Sequence, residues 1–175
     1  MKATGIVRRI DELGRIVIPK EIRRVLRIRE GDPIEIFTDG DAVVLKKYAR
    51  IRELGDYAEV YCQALTGALG FSAAVTDTET VLFASGSMKK QLLKAVLSEA
   101  FVDRMRMRQP ILAPEGFALL AGETPPLRLA SVPVVSNGDV LGSVLIATDD
   151  ARLRLSDTEL SILKTAALYL GKQLE

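Results

Sequence analysis

Apolar and polar residues follow two rhythms along this chain, and the shorter one comes first. Thr4–Ile10 (TGIVRRI) is rich in β-branched residues and predicts a strand, Asp11-Glu12-Leu13-Gly14 a turn, and Arg15–Ile18 a second strand. Pro19 presets a helical φ and suits a first helical position, so Lys20–Leu26 is expected to be helical. Ile22, Val25 and Leu26 then form an apolar side, and Lys20, Arg23, Arg24 and Arg27 a basic one. After the breaker Gly31-Asp32-Pro33, Ile34–Thr38 and Ala42–Lys47 alternate as a hairpin around Asp39-Gly40-Asp41. This β-β-α-β-β unit ends near Tyr48, close to the size below which a domain seldom folds without disulfides, metal or a partner. It has neither cysteines nor metal ligands. An obligate homodimer, two chains sharing one core, is the physical expectation.

From Ile51 the period lengthens. Ile51, Leu54, Ala58, Tyr61, Leu65 and Ala68 are spaced 3-4-3-4-3, which predicts a long helix. Its seam suits either its own sheet or a second copy. Phe71–Asp77 and Thr80–Ala84 read as a strand pair around Thr78-Glu79, and Ser85-Gly86-Ser87 leads into a helix expected from Met88 to Met107. Gln109-Pro110 ends it. Ala113–Pro126, rich in proline and glycine, is expected to be a loop with at most a short strand. Leu127–Val135 and Val140–Ala147 form a hairpin on Asn137-Gly138. Ser156, three residues before Glu159, is a capping-box pattern that starts a last helix with Leu160, Leu163, Ala167, Leu170 and Leu174 on one side. The first and last helices of this half can therefore lie side by side.

Composition narrows the chemistry. The chain of 175 residues has no histidine and a single cysteine, Cys62, which removes the commonest general base and any internal disulfide. Cys62 reads as a small packing residue beside the helical seam. No apolar run nears the roughly 20 residues that span a bilayer, and the start lacks a signal-peptide core, so a cytoplasmic protein without a membrane partner is expected. The net charge of +1 conceals an asymmetry: residues 1–50 carry twelve Lys/Arg against eight Asp/Glu, or +4, and 51–175 twelve against fifteen, or −3. A basic end points to a polyanion.

The run TGIVRRIDELGRIVIPKEIRRVLRIREGDPIEIF, closing with VVLKKY, resembles the swapped-hairpin DNA-binding domain of AbrB-type transition-state regulators. The resemblance implies an intertwined homodimer that presents arginines to double-stranded DNA, with contacts at Arg8, Arg15, Arg23 and Arg24. Arg9 keeps a charge that relatives carry as lysine, and Lys20 is a candidate phosphate contact. Arginine suits the task because its planar fork grips phosphate or a guanine edge at two points. Joined to a second domain, the resemblance implies a sequence-tolerant regulator of sporulation genes in the forespore, activating some and repressing others.

Residues 51–175, helix–strand–strand–helix–loop–strand–strand–helix, resemble a GAF domain. The expected fold class is thus α+β: a domain-swapped hairpin domain over 1–50 and a GAF-like α/β sandwich with an antiparallel sheet over 51–175. GAF–GAF contacts would join dimers into a homotetramer. The GAF resemblance also implies a small-molecule site between sheet and loops, where Ser85, Gly86 and Ser87 are the candidate ligand turn and no cofactor is expected. Two other classes fit less well. An antitoxin would carry a flexible acidic tail where this chain has a patterned domain. A methionine sulfoxide reductase on a GAF fold needs several cysteines.

Overall fold

The computed structural model describes residues 5–26 and 28–175, so the expectations placed on Thr4 and Arg27 lie outside the described residues. The chain divides into two units, Met1–Tyr48 and Ala49–Glu175.

In the first unit, helix α1 (Lys20–Val25) follows Pro19, whose φ of −57° and ψ of 148° make it the residue just outside the helix rather than the first within it. Strands β1 (Ile34–Asp39) and β2 (Ala42–Lys47) pair antiparallel from Ile34 opposite Lys47 to Asp39 opposite Ala42. The strands expected over 4–10 and 15–18 are not formed: the described residues of both segments lie outside any sheet. A strand needs a neighbour to satisfy its backbone groups, and this chain offers these segments only the turn between them. Apart from Pro19, no apolar side chain before Ile51 is buried among the described residues, and Val7 (88% exposed) and Val25 (80%) stand almost free. The unit has an apolar side but, within one chain, no core.

The second unit is built on a five-stranded antiparallel sheet with strand order β4-β3-β7-β6-β5. Its strands are β3 (Ser72–Thr76), β4 (Val81–Ser85), β5 (Ile111–Phe117), β6 (Leu127–Ser136) and β7 (Asp139–Thr148). Side chains alternate along each strand and feed two cores. Ala73, Val75, Val132, Val134, Val144 and Ile146 meet α2 (Gly55–Leu69) and α5 (Asp157–Lys172) on one face. Ala74, Leu127, Leu129, Leu145 and Ala147 meet α3 (Lys89–Leu92) and α4 (Glu99–Arg106) on the other. The predicted hairpin turns on Asn137-Gly138, both at positive φ, and the capping box at Ser156 and Glu159 is present.

In the second unit three expectations need correction. The helix at Ile51 begins as a 3-10 turn (Arg50–Leu54), because Gly55, the first residue of α2, takes φ +44° and separates the two. Ile51, Leu54, Ala58 and Leu65 are buried against the sheet, Tyr61 half-buried and Ala68 exposed, so the seam serves the chain's own core.

The helix expected over Met88–Met107 is two short ones. Leu93 turns extended and Lys94 enters the left-handed region at φ +65°, which lets Val96 bridge to Thr80 and Leu97 to Leu120. Helix α4 then restarts on its own cap, with the Ser98 hydroxyl accepting the Phe101 N–H at 3.1 Å. Finally, the first five residues of the expected loop over 113–126 belong to β5. Pro114 and Gly116 are tolerated there because β5 is an edge strand whose ladder slips between Ala113 and Phe117.

Candidate nucleic-acid interface

The basic surface starts from a turn. Asp11 Oδ1 accepts the N–H groups of Leu13 (3.0 Å) and Arg15 (2.8 Å), and the Asp11 N–H donates to the Arg15 carbonyl at 3.1 Å. Gly14 follows at φ +75°, a conformation that a Cβ would oppose. Asp11 Oδ2 accepts Arg15 Nε at 2.7 Å. The Arg15 backbone N–H first, and its guanidinium second, hold the Asp11 carboxyl below its ordinary range, so the ion pair is intact at neutral pH.

On α1, Lys20, Arg23 and Arg24 are related by i, i+3 and i+4 and share one face, and all three are exposed. Ile22, Val25 and Leu26 repeat the spacing one step round. Ile22 and Leu26, with Ile6, Ile16, Ile18, Ile28 and Leu45, line an apolar groove of about 210 Å³, and Arg8 stands at the same groove. Arg9 is exposed on the segment before the turn. The structure thus gathers Lys20, Arg23 and Arg24 on one helical face and fixes Arg15 to the turn, whereas Arg8 and Arg9 lie on a segment without ladder support. Sequence reasoning missed Asp11 as part of this site. Its signal was an aspartate preceding a glycine-bearing turn, the usual place for a side chain that caps backbone N–H groups.

The turn Ser85-Gly86-Ser87 has a different job in this structure. Gly86 sits at φ +97°, and a Cβ there would lie 2.7 Å from Ser72 Cα. Ser72 Oγ accepts the Met88 N–H at 3.0 Å and lies 3.4 Å from Ser87 Oγ. One donor ahead of α3, the Met88 N–H, is therefore taken by Ser72. On the same side of the sheet, Phe101, Met105, Leu119 and Leu129 fill the interior, none more than 1% exposed.

Across its whole length the chain is 46% identical to stage V sporulation protein T of Bacillus subtilis over 179 residues, covering 99% of that relative. Residues 53–175 also match the family described as stage V sporulation protein T C-terminal, transcription factor. The chain belongs to the stage V sporulation protein T family. Its members are transcription factors, not enzymes. The N-terminal 27% of this family member is 60% identical, over 48 residues, to the transition state regulatory protein AbrB of B. subtilis and covers 50% of it. Residues 7–53 match the family of the MazE antidote-toxin recognition domain, a bacterial antitoxin. The GAF domain of an Acinetobacter phosphoenolpyruvate-protein phosphotransferase overlays 71% of this chain and 87% of that structure at 14% identity and a TM-score of 0.55. That likeness gives the fold alone: the five-stranded unit is GAF-like. Among the described residues no helix is long and apolar enough to cross a membrane.

Proposed function

We propose that this protein regulates sporulation genes by binding double-stranded DNA as an intertwined homodimer of its N-terminal unit. In this reading Arg8, Arg9, Arg15, Lys20, Arg23 and Arg24 form the contact surface. The carrying observation is the division of labour within Asp11–Arg24. One side of it lines an apolar groove that this chain leaves open, and the other presents Lys20, Arg23 and Arg24 together. A second copy whose unpaired segments filled the groove would form the missing core and double the cationic face about a two-fold axis. The AbrB segment to which this unit is 60% identical is described as a DNA recognition domain, which supports the reading.

The GAF-like unit then serves assembly. Tyr57, Val60, Ile162, Leu168 and Tyr169 are exposed apolar side chains on α2 and α5, the helices that close one face of the sheet. Contacts through them would join two dimers into a tetramer able to hold two DNA segments. A small-molecule signal would act by displacing Phe101 or Met105 from the opposite core. Repression at some promoters and activation at others follow from where the paired segments lie.

Duplex affinity measured against salt tests the DNA reading. Counting only Arg8, Arg15, Arg23 and Arg24, the four arginines that the AbrB resemblance assigns to contacts, a dimer makes on the order of eight phosphate contacts, so log K should fall against log salt with a slope of about −7. A flat salt profile contradicts it. Native mass spectrometry at micromolar concentration should give a tetramer, and a particle no larger than a dimer contradicts the assembly role.

A further inference from the structure

Asp11 is an acidic residue in the middle of a cationic surface, which calls for a reason. A negative charge there repels a polyanion, and an exposed ion pair contributes little to stability. The Arg15 side chain is 71% exposed and that of Asp11 42% exposed, so packing supplies no explanation. The hydrogen bonds do. Asp11 spends one carboxylate oxygen on the turn, at Leu13 N and Arg15 N, and the other on a single atom of the guanidinium, Nε, at 2.7 Å. Arginine carries five N–H donors in a rigid plane. With Nε taken, the four on its two Nη atoms remain at the outer end of the side chain, and the plane of the fork is fixed by the turn that carries it.

We propose that Asp11 is a positioning residue for DNA binding: it locks the Arg15 guanidinium so that its two Nη atoms, end-on, grip a phosphate or a guanine edge. The proposal rests on the DNA reading above and deepens it. The advantage is entropic, since a flexible arginine must be ordered on binding and this one is ordered beforehand. The same turn sets both the backbone and the fork, so any shift of residues 11–15 moves the contact with it. The sign of the effect separates positioning from charge. By charge alone, Asp11→Asn removes a repulsion and tightens binding; by positioning it weakens binding.

The test uses the full-length protein and a labelled duplex, read by fluorescence anisotropy. Asn keeps an oxygen that accepts the two turn N–H groups but cannot pair with a guanidinium. Asp11→Asn should therefore weaken duplex binding roughly five- to tenfold, with melting temperature and assembly mass unchanged. In an Arg15→Ala background the same substitution should cost nothing more. Asp11→Ser, whose hydroxyl can hold the turn but falls short of Nε, should behave like Asp11→Asn and guards against a folding effect peculiar to one variant. Unchanged or tighter binding by both variants, with Arg23→Ala still weakened, overturns the positioning role and leaves the DNA reading standing. An equal loss in the Arg15→Ala background also overturns it. If Arg15→Ala, Arg23→Ala and Arg24→Ala all bind as the parent does, the DNA reading itself fails and takes this proposal with it.

Discussion

Tyr61 on α2 and Tyr169 on α5 stack with ring centroids 5.9 Å apart and planes 16° from parallel. The pair ties the first helix of the GAF-like unit to its last, and it leaves an ionisation signature. Partial burial pushes the Tyr61 phenol above its ordinary value of 10, and the charge of Tyr169 adds to the shift. The folded chain thus holds this proton more tightly than the unfolded one. Its contribution to stability is complete below the unfolded value and is lost as pH rises through the folded one.

Tyr169→Phe keeps the stack and removes the neighbouring charge. An ultraviolet absorbance titration is predicted to show Tyr61 ionising at lower pH than in the parent, though still above its ordinary value because burial persists. Superimposable titrations of Tyr61 in the two proteins would contradict this account of the pair.

Two glycines should respond in opposite directions. A Cβ built on Gly142 of β7 would lie 1.8 Å from the Thr76 carbonyl oxygen, which cannot move without breaking the sheet. Gly142→Ala is predicted to cost about 2–4 kcal/mol. Gly67, exposed within α2, has nothing within 4 Å of such a Cβ, so Gly67→Ala should stabilise by about 0.5–1 kcal/mol. Thermal melts of both variants decide the matter, and equal shifts would refute the packing described.

Cys62 is fully buried, and desolvation first, with the Glu59 charge second, pushes its thiol up to about 12. The thiolate is the reactive form, so a disulfide reagent at pH 8 should label the native protein at least ~100-fold more slowly than the unfolded one. Rapid stoichiometric labelling of the native chain would show that α2 does not pack on the sheet as described.

Much of this fold could be read from the residues, and the failures share a cause. Asn137-Gly138 and Ser156…Glu159 are local signals, complete within a few residues, and both elements form where expected. The break at Lys94 was invisible because Val96 and Leu97 leave the helix to pair with Thr80 and Leu120, partners distant in sequence. Strand β5 was obscured by Pro114 and Gly116, residues that punctuate most chains but are harmless on an edge. The N-terminal segments were read as strands, the first from its β-branched residues, yet residues 5–10 and 15–18 join no sheet within a single chain. Of the proposed interface, the basic character was legible from the charge count and the particular arginines from the resemblance. Asp11 was not, because its role depends on which atom of Arg15 it meets.

Charge removal at Arg23 and Arg24 tests the central claim most directly. Both side chains are exposed in the last turn of α1 and take no part in a core, so their loss should leave folding and assembly mass intact. Anisotropy of a labelled promoter duplex with Arg23→Ala/Arg24→Ala is predicted to show affinity at least about tenfold weaker than the parent, beside an unchanged melting curve. Parental affinity in that folded variant would contradict the assignment of this surface to DNA.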